Sequence, residues 1–163
     1  MFREMRRKTQ LLPEEETLAI LENCSYGVLA LLGDEGYPYT VPLNYVYSDG
    51  KIYFHGAKSG HKVDAIKNCD KAGFCVVEKD TVAPEEYATH YTSVVAFGRI
   101  RILEEESEIR HSIEMLAAKH GPGDKAKDMH AINAEFAALC MFELTIEHIT
   151  GKEAKALMQQ RKK

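Results

Sequence analysis

Hydrophobic positions in this chain fall mainly into short runs bounded by turn signals, a pattern that predicts strands joined by hairpins. Gly27 to Leu32 (GVLALL) is continuously apolar and short enough for a buried strand. Asp34-Glu35-Gly36 signals a turn, after which Tyr39 to Tyr47 (YTVPLNYVY) reads as the next strand. Pro42 lies inside it and has no N–H for a ladder, so that strand is expected at a sheet edge or bulged there. Asp49-Gly50 is a hairpin turn into a strand from Ile52 to His55. Gly73 to Glu78, Ser93 to Leu103 and Met141 to Ile149 complete the set, with Gly98 marking a bulge or a close backbone approach. The polar stretch from Lys79 to Thr92, which contains Pro84, reads as a loop.

Helical spacing appears between these runs. Pro13 followed by Glu14, Glu15 and Glu16 marks a helix start, continued by Leu18, Ile20 and Leu21 to Asn23. Val63 and Ile66 open a second helix. Glu104 to Lys119 carries a stripe of Ile109, Ile113, Leu116 and Ala117 and is stopped at His120-Gly121-Pro122-Gly123. A shorter helix is expected over Lys127 to Leu139, and a charged tail from Lys152. About six antiparallel strands in one small domain favour a mainly β fold, a closed or partly closed barrel with flanking helices.

Composition agrees with a single soluble globular domain: 163 residues, 45% hydrophobic and 28% charged. A net charge of −4 and a pI near 6.0 argue against nucleic acid as a partner. The basic clusters Arg3, Arg6, Arg7, Lys8 and Arg161, Lys162, Lys163 read as solvated tails, about 1–8 and 153–163. Cysteines 24, 69, 75 and 140 form no C-x-x-C pair and lie in or beside apolar runs, as buried thiols in a reducing compartment would. Neither a secretory signal nor a membrane-spanning stretch is seen, so a cytoplasmic location without a membrane partner is expected.

Seven histidines raise the question of a metal, but H-E-x-x-H and paired Cys/His ligand spacings are missing, and no metal site is expected. G-x-S-x-G, Walker and Rossmann patterns are missing too. The informative segment is Ile52 to Ile66, IYFHGAKSGHKVDAI. It passes from strand to helix through a loop holding Lys58, Ser59, Gly60, His61 and Lys62. A helix N-terminus has N–H groups without intrahelical acceptors and the positive end of the dipole. Cations there conflict with that field unless an anion resolves it, and a phosphate would; otherwise the lysines are simply solvated. An anion site beside aromatic and aliphatic strands suits a phosphorylated planar cofactor, its phosphate on Lys58, Ser59, His61 and Lys62.

The run YGVLALLGDEGYPYTVPLNYVYSDGKIYFHGAKSGHKVDAIKNC, with SVVAFGRIRIL and FELTIEHITGK after it, closely resembles the pyridoxamine 5′-phosphate oxidase-like, FMN-binding split-barrel family. Within it, the 5-nitroimidazole-resistance (Nim) branch is the most similar, and the likeness runs from about Met5 to Lys152. The resemblance implies a six-stranded antiparallel split β-barrel and a homodimer with FMN at the subunit interface. It implies that Val41, Pro42, Leu43 and Asn44 run along the flavin and that His55 and Gly56 meet its ribityl–phosphate region. Lys58, Ser59, His61 and Lys62 would hold the phosphate, and Ser93 would reach the flavin from the partner subunit. The family's oxidases carry Arg-Lys where this chain has His61-Lys62, and the histidine is a weaker, titratable donor.

One departure bears on substrate. The family's true oxidases end in a segment containing Trp and Arg, whereas this chain has no tryptophan and ends KEAKALMQQRKK. Vitamin B6 oxidation is therefore not expected. The Nim-like branch implies reduction of a nitro group or another small electron acceptor, with His55 as the candidate functional histidine; the alternative for His55 is a hydrogen-bond donor without a redox role. Two other readings stay open: a non-catalytic carrier or sensor of FMN, FAD or haem (with His55, His90 and His148 as possible haem ligands), and an enzyme of the deazaflavin F420.

Overall fold

A computed structural model describes residues 1–161, so of the expected C-terminal basic cluster Lys162 and Lys163 lie outside the described residues. In chain order the elements are α1 (Glu14–Asn23), β1 (Tyr26–Leu32), β2 (Pro38–Asn44), β3 (Val46–Ser48), β4 (Lys51–Ala57), α2 (His61–Asn68), β5 (Lys71–Ala83), β6 (Ala88–Ile102), α3 (Glu106–His120), α4 (Lys125–Glu135), β7 (Leu139–Glu153) and α5 (Lys155–Arg161). The strands form one antiparallel sheet in the order β2-β1-β5-β6-β7-β4-β3.

The two edge strands, β2 and β3, are separated in sequence by Tyr45 alone. A single residue cannot span a flat sheet of seven strands, because neighbouring strands lie about 4.8 Å apart. The sheet must therefore curl until its edges nearly meet, leaving a split that Tyr45 bridges. Tyr45 is fully buried there, its hydroxyl donating to the Leu21 carbonyl at 2.6 Å and its ring edge-on to Phe74 at 4.9 Å. Leu29, Ile52, Phe54, Phe74, Phe142 and Leu144 fill the interior of the curl.

Pro42 falls opposite Val28 on β2, whose only strand partner among the described residues is β1, so the edge position expected from proline is the one realised. The single strand read over Tyr39 to Tyr47 is two, because Tyr45 turns inward at the split; this makes seven strands where the sequence suggests six. At Gly98 the β6–β7 register shifts, and a side chain would overlap the Thr145 carbonyl oxygen, so bulge and close approach coincide.

Two further expectations are corrected. The polar segment 79–92 is not a loop: β5 and β6 continue as a paired arm, with Thr81 opposite His90, turning at Pro84–Glu86 and a left-handed Tyr87 (φ 47°). Beyond Val77 the β5 side of this arm is almost wholly exposed, so its sequence lacks the alternation that betrays a half-buried strand. The charged tail expected from Lys152 likewise begins as strand, with Ser93 opposite Lys152 and Thr92 opposite Glu153, and continues into α5. Among the described residues no helix is long and apolar enough to cross a membrane.

Candidate functional site

The helix α2 begins at Gly60, whose φ of 120° is open to glycine and strained for other residues. Its carbonyl accepts the Val63 and Asp64 amides at 2.9 and 3.1 Å. The amides of His61 and Lys62, one position earlier, have no intrahelical acceptor, and Gly60 has no side chain to cap them. Val63, Ala65 and Ile66 are buried in the barrel core, which fixes the helix start at the end of the split.

Lys62 is the notable side chain. It is half-buried, its ammonium 5.0 Å from the centroid of the Phe142 ring. It also presses on Gly56, where a β-carbon would lie 2.7 Å from Nζ and 3.2 Å from the Phe142 ring. Burial lowers its pKa, with the Cys140 thiol opposing weakly, and among the described residues it forms no ion pair with a carboxylate. A partly desolvated cation without a counter-charge is stabilised by any anion that reaches it.

His61 turns the other way, toward β2: its ring stacks on Tyr39 at 4.1 Å and Nε2 lies 3.7 Å from an Asp34 carboxylate oxygen. The helix start thus stands between β2 on the His61 side and β4 on the Lys62 side. Ser59 and Gly60 are exposed at its tip. Lys58 is drawn elsewhere, donating to the Ala137 carbonyl at the end of the α4 segment. The structure therefore brings Lys62 and Gly56 together, turns the His61 side chain to β2, leaves Ser59 exposed at the tip and gives Lys58 a different contact.

Along β2, Val41 and Leu43 pack against the core while Pro42 and Asn44 are exposed, with Asn44 donating to the Ser25 carbonyl at 3.0 Å. This strand leaves one backbone edge unpaired, the kind of surface a planar ligand uses through main-chain groups. His55 lies on the exposed face of β4, opposite Met141 of β7. Burial lowers its pKa first, then the neighbouring Lys62 charge; Glu135 opposes this and His120 adds to it. Ser93 is not part of this corner in one chain. It pairs with Lys152, whereas His55 pairs with Met141, and at about 3.3 Å per residue about 36 Å of β7 separates the two.

Glu135 and His120 carried no signal in the sequence, since they approach only when the α3–α4 hairpin packs over the sheet. That hairpin is fastened by Glu143, which is 3% exposed and accepts from Arg101 at 2.9 Å and Lys51 at 3.0 Å. Arg101 also binds both carboxylate oxygens of Glu108 on α3, at 2.6 and 3.2 Å. Farther along α3, Lys119 donates to the Cys24 carbonyl at 2.7 Å and His120 to the Tyr45 carbonyl at 2.9 Å. Among the described residues there is no group of three side chains able to hold a metal.

An antiparallel sheet curled until one residue joins its edges defines a split-barrel protein, with an uncapped helix start and the half-buried Lys62 at the split. The chain belongs to the pyridoxamine 5′-phosphate oxidase family, whose sequence profile matches residues 13–153. Among solved structures it is similar to a Bacteroides thetaiotaomicron VPI-5482 protein assigned to 5-nitroimidazole antibiotic resistance (15% identity, 88% of this chain and 86% of that one, TM-score 0.73). A FAD-binding protein of Mesorhizobium loti gives 24% identity over 90% of this chain and 98% of that one, with a TM-score of 0.64. The FAD and haem binding protein of Mycobacterium smegmatis gives 20% identity, 90% and 74% coverage and a TM-score of 0.75. At these identities the likeness is one of fold. No curated protein matches the chain.

Proposed function

We propose that this chain is a homodimeric flavoprotein that binds FMN and passes its electrons to a nitro group or another small acceptor. The observation that carries the reading is Lys62, a half-buried ammonium without a carboxylate partner, beside two unsatisfied helix amides. A phosphate fits this corner. Lys62 supplies charge, the His61 and Lys62 amides supply donors, and the missing side chain at Gly56 leaves room for the lysine to lie there. The free edge of β2 at Val41 to Asn44 would carry the ring system, and Pro42 removes a donor from that edge.

A bound flavin supplies the redox chemistry, taking electrons in pairs and releasing them to an acceptor. The chain's own contribution is position and field: Lys62 and the helix start fix one end, and the α3–α4 hairpin walls one side. Ser93 would join the site only from a second copy. The arm that bears it offers exposed apolar residues for such a contact, with Val77 at 52%, Val82 at 67% and Tyr87 at 99% exposure. Pyridoxamine phosphate is not the proposed substrate, because the chain has no tryptophan.

The purified protein should be yellow, hold about one FMN per subunit, and lose affinity for it on Lys62→Ala. Colourless protein that takes up no added FMN would refute the proposal. A Soret band would instead favour the haem carrier, although His90 already meets Glu86 at 2.9 Å and His148 stacks on Phe2 at 4.9 Å. Parallel titrations with FAD and F420 separate the remaining cofactors.

A further inference from the structure

Between α2 and the start of α3 lies a cavity of about 560 Å³ that the flavin reading leaves unused. Small-molecule sites span roughly 300–1,000 Å³, so the space suits a ligand. Its apolar walls come from three directions: Val63 from α2, Ile109 from α3, and Phe136 and Leu139 from the junction of α4 and β7. Val63 is buried, whereas Ile109, Phe136 and Leu139 are only half-buried, and an apolar occupant would complete their burial.

One end of the cavity is cationic. Lys58 and Lys67 line it together with the Cys140 thiol, which is 7% exposed. Lys67 follows Val63 by four residues, one turn of α2, and so shares its face. Lys58 is held by its bond to the Ala137 carbonyl, which uses one of its three N–H donors and leaves two. Lys62 comes from behind the wall: Cys140 pairs with Gly56, the residue against which the Lys62 ammonium lies. Burial raises the pKa of the Cys140 thiol and Lys62, Lys58 and Lys67 all oppose it, so the three charges converge on this sulfur. Among the described residues none of these lysines forms an ion pair with a carboxylate. Like charges gathered on a low-dielectric wall focus a positive field into the cavity. Glu104 and Glu106 line the other wall, on the β6–α3 connection, and direct an entering anion to the lysine side.

We propose that this cavity binds an organic anion, an apolar chain or ring with one acidic group, whose acid meets Lys58 and Lys67 beside Cys140 and whose body lies on Ile109, Phe136 and Leu139. The site is separate from the phosphate corner and does not depend on the flavin reading. It also gives Lys58, which the sequence places in the phosphate loop, a use on the far side of that loop.

Octanoate tests the site. Calorimetry on the full chain at pH 8 should show one octanoate bound per chain. Acetate has the charge without the body and 1-octanol the body without the charge, and each should bind at least about tenfold more weakly. In Lys67→Met, a change at an exposed position, octanoate should weaken about tenfold while octanol is unaffected. Methyl NMR locates the ligand: Val63 and Leu139 should shift, and Leu157 on α5 should not. Octanoate should still bind at saturating FMN. The proposal is overturned if octanoate does not bind, if octanol binds as tightly, or if Lys67→Met keeps the wild-type affinity. Silent Val63 and Leu139 methyls overturn it as well, and so does displacement of octanoate by FMN, because the acid then sits in the phosphate corner. Wild-type protein that takes up no FMN sinks the flavin reading instead, and the other octanoate measurements still decide this one.

Discussion

Lys62 occupies the space that a side chain at Gly56 would need: a β-carbon there would come within 2.7 Å of its ammonium. Glycine on β4 and lysine on α2 are thus one unit, in which the strand is hollowed so that the cation can lie half-buried beside the helix start. Gly56→Ala should push Lys62 outward, because the alternative neighbour, the Phe142 ring at 3.2 Å, is locked in the core. FMN affinity should weaken about tenfold, or about 1.4 kcal/mol, with little change in thermal stability. Fluorescence quenching of added FMN measures the first and a melting curve the second. An unchanged affinity would mean that the lysine's position is immaterial to phosphate binding.

The joint at Tyr45 gives a stability prediction. Its hydroxyl donates to the Leu21 carbonyl, tying α1 to the residue that joins the two edge strands. Tyr45→Phe keeps the ring contact with Phe74 but leaves that carbonyl without this donor, at a cost of about 1–3 kcal/mol. Tyr45→Ala also empties a fully buried site and should cost about 3–5 kcal/mol. Urea denaturation should rank the three proteins in that order.

Glu143 gives the pH dependence. Burial pushes its carboxyl up, but the hydrogen bonds from Arg101 and Lys51 outweigh burial and hold it below the usual glutamate range. A group with a depressed folded pKa stabilises the fold above its unfolded pKa, and that contribution is lost as pH falls through the folded value. Stability should therefore drop with acidification below about pH 4.5, and the drop should be shallower in Glu143→Gln. At neutral pH that variant should lose about 2 kcal/mol, less than a fully buried pair because both cations are partly exposed. Tyr53, pushed up to about 12 by burial and the Glu143 charge, stays a neutral donor throughout.

The sequence already carried the strands that bury one face, the proline-marked edge and the strand–loop–helix junction around Lys62. Each of these depends on local periodicity or local turn chemistry, as at Pro42 and Gly60. What it hid is non-local. Tyr45 looked like one more residue of a continuous strand, and only the closing of the sheet makes it the joint. Glu135 and His120 lie on helix ends whose packing over β4 leaves no local trace. The arm from Val77 to Ser93 leaves no periodic signal because its β5 side has almost no buried face, and the same exposure suggests what it does.

An extended two-stranded arm with Val82 and Tyr87 in water exposes apolar surface without gain to a monomer. Ser93 stands at its base, far from the His55 corner of its own chain. A second copy that packs on the arm would bury Val82 and Tyr87 and carry its own Ser93 toward the first copy's split. Val82→Asp with Tyr87→Asp should therefore weaken self-association, raising the dimer Kd at least about tenfold, while leaving the urea midpoint of the isolated fold nearly unchanged. Sedimentation velocity across a dilution series measures the first effect, and FMN content of the same fractions measures its consequence. If flavin sits between copies, its occupancy should fall as the dimer dissociates. A double variant that is monomeric yet binds FMN as tightly as the wild type would show that one chain completes the site, and that the arm serves something else.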